Sequence, residues 1–320
     1  MNDDITRGRS AIGVSRRGFF QCMAWAGTGL LWSASGGTLS SRLLAQDPAP
    51  SKPAPASTLS FVQISDTHMG FKKPANQDVA ATLRETIARI NALPAAPAFI
   101  LHTGDLTHLS EAKEFDALEQ VLKECRTKQV FYVPGEHDVL NDDGALFRER
   151  FAKGTVGAGW FSFEQNGVHF VGLVNVLGMS EGGLGVLGND QLAWLAKDLA
   201  PLSAETPVVV FAHVPLWTVH EKWGWGTADG AQALLLLKRF GSVTVLNGHI
   251  HQIVQKVEGN ITFHTARSTA FPQPEAGKAE KPGPMLVEAG KLRSFLGLTS
   301  VRQVENSGRL AIVDSTLAAN

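Results

Sequence analysis

The chain has 320 residues, of which 29 are basic and 30 are acidic, so its formal net charge is -1. This length suffices to bury a substantial core in one large domain or two small ones. The balanced charge gives no electrostatic support for a nucleic-acid partner or a polybasic contact with a membrane. Two distant cysteines, Cys22 and Cys125, offer no disulfide framework.

The N-terminal residues predict a targeting sequence for export. Arg16 and Arg17 precede an apolar stretch at 19–32, which is shorter than the about 20 residues that a membrane-spanning helix needs. This pattern resembles a twin-arginine signal peptide. We therefore interpret residues 1–45 as a signal peptide that directs the chain to the periplasm or another exported location, with no membrane span in the mature form. A membrane anchor or a disordered tail is the alternative interpretation.

A Pro/Ala-rich linker is predicted at 46–58, and one domain at 59–320. In this domain, apolar runs of strand length alternate with segments of helical period, which is typical of an α/β domain. The predicted strands are 59–64, 98–102, 130–133, 160–164, 168–174, 207–213, 243–247, a hairpin of 252–258 and 260–265, and two last strands at 298–305 and 309–315. The predicted helices are 76–92, 111–125, 189–199 and 228–239.

Titratable side chains follow five of the predicted strands. They are Asp66, His68, Asp105, Glu136, His137, Asp138, His213, His249 and His251. Because ligands of open α/β sheets bind outside the carboxyl ends of the strands, we predict that these side chains meet at one edge. Imidazole and carboxylate ligands without thiolates suit zinc, iron or manganese. The number of groups exceeds the needs of one ion, so we predict two ions about 3.5 Å apart, bridged by a carboxylate.

Each of these groups is a weak signal by itself, because an aspartate after a strand is often only a turn former. Their order and their common position at strand ends are far more specific. Together they resemble the five motifs of calcineurin-like metallophosphoesterases, with Asp66-x-His68, Gly104-Asp105, Gly135-Glu136-His137-Asp138, His213 and Gly248-His249-x-His251.

The resemblance implies a four-layer αββα sandwich of two mixed β-sheets flanked by helices, and a dinuclear metal centre. It assigns one ion to Asp66, His68 and His251. It assigns the other ion to Glu136, His213 and His249, with Asp105 as the bridge. It also makes His137 an acid that Asp138 orients. The implied activity is hydrolysis of a small phosphomonoester or phosphodiester by a hydroxide that bridges the metals.

Glu136 departs from the resemblance, because the family usually has an asparagine at this position. A carboxylate adds negative charge, which favours a harder ion such as ferric iron or manganese and raises the pKa of a bridging water. We therefore predict an altered metal preference and slower or narrower hydrolysis, unless the side chain points away and a water replaces it. The alternative function is a metalloprotein with a non-hydrolytic metal-binding, redox or accessory role. A small cytoplasmic cyclic-nucleotide phosphodiesterase is a third interpretation.

The Trp loop, which we define as residues 217–226, follows the predicted ligand His213 and contains Trp217, Trp223 and Trp225. It is predicted to form an aromatic wall beside the metals, suited to a ring or an apolar leaving group. Burial of these tryptophans as part of the core is the alternative.

Three further polar residues are given lesser roles. We predict that His102 lies in the core or behind a ligand and that His108 caps a backbone group or contacts substrate instead of binding metal. Arg267 is predicted to form a surface salt bridge. The sequence names neither the substrate nor the oligomeric state.

Overall fold

The structure is a computed structural model that describes residues 59–288, 290–304 and 309–318, together with two N-terminal strands. These strands, β1 (Leu30–Ser35) and β2 (Thr38–Leu43), pair antiparallel within a separate N-terminal unit. The rest of the predicted signal peptide, and the whole predicted linker at 46–58, lie outside the described residues. Among the described residues, no helix combines the length and apolarity needed to cross a bilayer.

The described part of the main unit contains two mixed β-sheets. The six-stranded sheet has the order β10-β11-β9-β8-β7-β6, with β6 at Phe161–Gln165, β7 at Val168–Gly172, β8 at Val208–Ala212, β9 at Val243–Asn247, β10 at Gln255–Glu258 and β11 at Ile261–Thr265. The five-stranded sheet has the order β13-β12-β3-β4-β5, with β3 at Ser60–Ile64, β4 at Ile100–His102, β5 at Val130–Tyr132, β12 at Gly297–Gln303 and β13 at Leu310–Thr316.

Helices cover the outer face of each sheet. The helices are α1 (Val79–Asn91), α2 (Ala112–Leu122), α3 (Ala145–Phe151), α4 (Asn189–Leu199), α5 (Gly230–Leu237) and the short α6 (Leu292–Phe295). Apolar side chains of α1, α2 and α3 pack against β3, β4 and β5. Those of α4 and α5 pack against β7, β8, β9 and β11. The two sheets and their helices confirm the predicted four-layer sandwich.

The space between the sheets is filled by apolar side chains from both of them. Alternation along β3 shows the principle, because Phe61 points into this space while Val62 points towards the helices. A buried polar bridge also crosses it, since Nε2 of Gln63 donates to the carbonyl of Asn247 at 3.1 Å. The two sheets are therefore held face to face close to the ends of β3 and β9.

The predicted strands and the four predicted helices are confirmed; the helix at 189–199 has the predicted bounds, and the other three are shorter at their ends than predicted. The sequence pattern missed α3 and α6, which have only 7 and 4 residues. Parallel pairing of β3 with β4, of β4 with β5 and of β8 with β9 brings the carboxyl ends of these strands to a common rim. All nine predicted titratable side chains follow these five strands.

Candidate metal centre

The backbone at the rim is unusual and interlocked. Asp66 N–H donates to the carbonyl of Gly104 at 2.9 Å, and His68 N–H donates to the carbonyl of Asp105 at 2.9 Å. Positive φ angles, rare for residues other than glycine, occur at five of the predicted ligands, namely Asp66 (54°), His68 (41°), Asp105 (52°), His249 (70°) and His251 (55°). Such strain persists where the surroundings enforce it, and it concentrates at functional sites.

The first donor cluster consists of Asp66, His68, Asp105 and His251, all of them buried. Nε2 of His251 lies 3.1 Å from Oδ1 of Asp66 and 3.3 Å from Nε2 of His68. Nε2 of His68 is also 3.4 Å from Oδ2 of Asp105. Four ligand atoms therefore face one another across a space of atomic size.

The second donor cluster consists of Glu136, His213 and His249. Oε2 of Glu136 lies 2.9 Å from Nε2 of His213, and Oε1 lies 2.9 Å from Nδ1 of His249. The carboxylate of Glu136 thus points into the cluster, and the alternative in which it points away is wrong. Oδ2 of Asp105 lies 3.4 Å from Nε2 of His213 as well, so one oxygen faces both clusters.

The distances in the first cluster are close to those between ligands of one cation. Ligand atoms about 2.0–2.1 Å from one tetrahedral ion lie about 3.3 Å apart, close to the separations in the first cluster. Although Glu136 and His213 are close, Oε2 and Nε2 find no hydrogen-bond partner of suitable geometry among the described residues, and neither does Nδ1 of His249. Buried polar atoms in this condition are rare without an ion or water.

Two histidines are held by backbone carbonyls in the tautomer that a ligand needs. Nδ1 of His213 is 2.7 Å from the carbonyl of Thr103, and Nδ1 of His251 is 2.6 Å from the carbonyl of Phe271. Because a carbonyl only accepts hydrogen bonds, each Nδ1 carries the proton and each Nε2 presents a lone pair to the cluster. Support of this kind orients ligands in known metal sites.

Carboxylates and imidazoles of these clusters shift one another's pKa. Burial lowers the pKa of His213, but Asp105 and Glu136 outweigh burial and raise it well above its usual value. Burial opposes ionisation of Glu136, yet His249 and His213 hold the pKa of this carboxyl well below its usual value. Protons and cations therefore compete for the same lone pairs in this centre.

His137 lies beside these clusters, but its predicted orientation by Asp138 is wrong. Nδ1 of His137 is 2.7 Å from the carbonyl of His108, which therefore orients the ring. The carboxylate of Asp138 instead accepts backbone N–H groups from Leu106, Thr107 and Gly135 at 2.8–3.0 Å. Asp138 thus fastens the loop after β4 to the turn that carries Glu136.

The centre opens into a cleft of about 450 Å³. Trp223 and Trp225 line this cleft, as the prediction of an aromatic wall requires. Trp217 does not, because its ring lies 4.7 Å from that of Phe263 in the core. Both interpretations of the Trp loop therefore apply to different residues: Trp223 and Trp225 line the cleft, and Trp217 belongs to the core.

The lesser predictions had mixed outcomes. His102 is buried against Thr67 and Tyr132, as predicted for a core position, and burial lowers its pKa to about 3. His108 lines the cleft, with its ring stacked 4.9 Å from that of His137. The predicted surface salt bridge of Arg267 is wrong, because its guanidinium donates to the carbonyl of Phe295.

The sequence pattern missed residues that support the rim from beyond the last motif. The hydroxyl of Ser268 donates to the carbonyl of Asp66 at 2.7 Å. The ring of Phe271 stacks 4.7 Å from that of His68. Nε2 of Gln273 donates to the carbonyl of His249 at 2.8 Å. All three follow β11, which ends at the same rim but carries no titratable ligand. The end of this predicted strand was the one feature of the sequence that could have pointed to them.

Comparisons with known proteins agree with this geometry. Residues 59–253 match a family model described as calcineurin-like phosphoesterase. A probable cyclic nucleotide phosphodiesterase of Vesicomyosocius okutanii is 27% identical over 217 residues, which cover 66% of this chain and 87% of that protein. A probable glycerophosphodiester phosphodiesterase of Arcobacter nitrofigilis is 27% identical over 222 residues, which cover 65% of this chain and 77% of that protein.

Solved structures show the same fold. A dimetal phosphatase from Danio rerio superposes with a TM-score of 0.62 at 15% identity, covering 81% of this chain and 96% of that one. A purple acid phosphatase from yellow lupin superposes with a TM-score of 0.61 at 12% identity, covering 83% of this chain and 52% of that one. At such identities the likeness concerns the fold alone.

Proposed function

This chain belongs to the calcineurin-like phosphoesterase family, and from this premise we propose that it is an exported, dinuclear metal-dependent hydrolase of a small phosphomonoester or phosphodiester. The observation that carries the proposal is the pair of adjoining donor clusters, which share Oδ2 of Asp105 at 3.4 Å from both His68 and His213. The imidazole and carboxylate donors suit zinc, iron or manganese.

Two bound cations would polarise the phosphoryl oxygens and supply an activated water. The residues of the chain then have separable tasks. Asp105 sets the spacing of the two clusters. His137 has its Nδ1 engaged with the carbonyl of His108, which leaves Nε2 to give a proton to the departing oxygen. Lys73 lines the same cleft and attracts an anionic substrate.

Turnover measurements test this proposal. The chain loaded with manganese is offered an aryl phosphate and an aryl phosphodiester, and Asp105→Asn is measured beside it. We expect hydrolysis of at least one ester. Turnover by the variant should fall by at least about 10–100-fold, which is the effect of disturbing a residue that supports a metal ligand. Absence of hydrolysis in the loaded chain, or equal rates in the two proteins, would contradict the proposal.

One observation favours a second function, a non-hydrolytic metalloprotein on the same scaffold. Because Glu136 points into its cluster, the donor set holds three carboxylates with Asp66 and Asp105. Extra negative charge lowers the Lewis acidity of bound cations and opposes an incoming phosphate dianion. Tightly bound ions without turnover across a broad panel of phosphoesters would favour this alternative.

Export is proposed from the N-terminal sequence, in which Arg16 and Arg17 precede the apolar stretch at 19–32. Cell fractionation of the tagged full chain tests it, with a variant carrying Arg16→Lys and Arg17→Lys as the control. We expect the natural chain in the periplasmic fraction and the variant in the cytoplasm. Cytoplasmic retention of both would contradict export without touching the chemistry.

A further inference from the structure

We propose that the cleft takes a phosphoester whose leaving group carries a flat aromatic ring, held between Trp223 and the strap, which we define as residues 275–284. This inference rests on the proposed hydrolysis and adds the substrate class to it. Aryl groups and nucleobases share this chemistry, so the experiment below separates them.

The cleft has an ionic floor and apolar walls. Its volume of about 450 Å³ lies in the range of small-molecule sites. The walls are formed by Met179, Trp223, Trp225, Phe271, Pro282 and Pro284. Among the described residues that line it, the only carboxylates are Asp105 and Glu136, which belong to the donor clusters. Lys73, His108 and Gln273 add polar groups without negative charge. A substrate that reaches these clusters with its phosphate can therefore place its other end against the apolar and aromatic part of the wall.

Trp223 is held in place as a partly exposed ring. Trp225, which is only 1% exposed, packs against it edge-on, with 4.9 Å between the ring centroids and an interplanar angle of 87°. The ring of His220 lies 4.9 Å from that of Trp223. Between the tryptophans, Gly224 has a φ of 71°, and a Cβ there would lie 2.6 Å from the carbonyl oxygen of Gly183. The loop is thus pressed against a neighbouring segment, and the ring loses little freedom when a ligand stacks on it.

The strap, which lines the same cleft, is fastened at both ends. Gln273, just before it, donates to the carbonyl of His249 at 2.8 Å and accepts the N–H of Gly283 at 3.0 Å. A side chain at Gly277 would lie 3.9 Å from Nε2 of His220, so the strap also reaches the Trp loop. Pro282 and Pro284 are thereby held in the cleft wall, at a position tied to the backbone of a candidate ligand.

Substitution of Trp223 separates ring stacking from the chemistry. For Trp223→Ala and Trp223→Phe, kcat/KM is measured on phenyl phosphate, on adenosine 5′-monophosphate and on glycerol 2-phosphate, each relative to the natural chain on the same ester. This ratio cancels the intrinsic reactivity of the leaving group. We expect kcat/KM of Trp223→Ala to fall about tenfold or more on the ring-bearing esters but less than about threefold on glycerol 2-phosphate. The kcat/KM of Trp223→Phe should fall less, because a phenyl ring still stacks. A larger loss on the nucleotide identifies a nucleobase, and a larger loss on phenyl phosphate identifies a simple aryl group.

Binding of phosphonates keeps this inference apart from the proposed hydrolysis. Calorimetric titration of the manganese-loaded chain compares benzylphosphonate with ethylphosphonate, neither of which is hydrolysed. Tighter binding of the benzyl compound, with the preference abolished in Trp223→Ala, supports binding of a ring between Trp223 and the strap even if no ester is turned over. Equal affinities for the two compounds, or equal losses of kcat/KM on ring-bearing and alkyl esters, would contradict ring binding. Neither result would contradict the proposed hydrolysis.

Discussion

At the scale of single residues, Glu136 sets the charge of the second donor cluster. Its two oxygens each lie 2.9 Å from a ring nitrogen, of His213 and of His249. Glu136→Gln keeps the size of the side chain but removes its charge, so we expect ion binding to weaken by about tenfold or more. Elemental analysis after dialysis against metal-free buffer measures the ions retained per chain. Glu181→Gln, at an exposed position, is the matched control, and equal ion content in both variants would contradict the prediction.

Gly135 gives a second test at this scale, because its role is steric. Its φ of -97° is open to any residue, but a Cβ at this position would collide with Oδ1 and the backbone N of Asp105. Gly135→Ala therefore displaces the carboxylate of Asp105, and we expect a loss in turnover of about a hundredfold.

The control for Gly135 is Gly241→Ala. A Cβ at Gly241 would meet only the carbonyl oxygen of Ala204 at 3.7 Å, an ordinary contact, so turnover should be unchanged. Circular dichroism confirms that both variants fold. Similar activity in the two variants would show that the close approach of Gly135 to Asp105 is not required.

At the scale of secondary-structure elements, His169 joins two strands to a helix. His169 lies on β7, with its Nδ1 2.6 Å from Glu164 on β6 and its Nε2 2.8 Å from Asp198 on α4. Burial lowers the pKa of His169, but the two carboxylates outweigh burial and raise it above the usual value. Burial raises the pKa of Asp198, but His169 and Ser162 outweigh burial and lower this pKa below its usual value. The protonated histidine is therefore part of the folded structure.

This ion network predicts a pH-dependent contribution to stability. A raised pKa in the folded state means that the contribution of His169 is complete below its unfolded pKa of about 6.5 and is lost as the pH rises through the folded value. The contribution of Asp198 is complete above its unfolded pKa of about 3.9 and is lost as the pH falls through its lowered value.

Urea denaturation of the natural chain and of His169→Gln measures this effect. We expect the variant to be less stable by about 1–3 kcal/mol near pH 5.5, where both charges are present in the folded protein. The difference should shrink when the same pair is compared near pH 9. A difference that does not change between the two pH values would show that the histidine acts by packing alone.

The element scale also shows what the sequence can and cannot predict. Periodicity predicted the strands, and the residues after them met at one rim because parallel strands share a direction. The orientation of His137 was not predictable, because its partner is the carbonyl of His108, and backbone carbonyls carry no sequence signal. Gln273 was missed for a related reason, since it acts on the backbone of His249 and Gly283. Short α3 escaped detection because 7 residues span too few turns to establish a helical period.

At the scale of the whole molecule, the donor clusters lie where the two sheets meet. Asp66, Asp105 and Glu136 follow strands of the five-stranded sheet, whereas His213 and His249 follow strands of the six-stranded sheet. Each cluster contains ligands from both sheets, with His251 joining Asp66. A cation bound to either cluster would therefore connect the two halves of the sandwich.

Removal of the ions should consequently destabilise the entire domain. An ion present at about a hundred times its Kd stabilises the folded state by about 2.7 kcal/mol, which corresponds to about 5–10 °C in Tm for a domain of this size. We expect a chelator to lower Tm by at least this amount and added manganese or zinc to restore it. Hydrogen exchange should show lost protection in β3 and in β9 together, because the strained backbone of Asp66 and of His249 follows these strands.

Asp105→Asn is the control for this measurement, since one oxygen of Asp105 faces both clusters. We expect its Tm to respond much less to the chelator than that of the natural chain, because fewer ions are bound at the start. A Tm that the chelator leaves unchanged in the natural chain would contradict ion binding between the sheets. Protection lost only in the rim loops, with β3 and β9 unaffected, would limit the ions to a local effect, since a connection between two sheets must register in both of them.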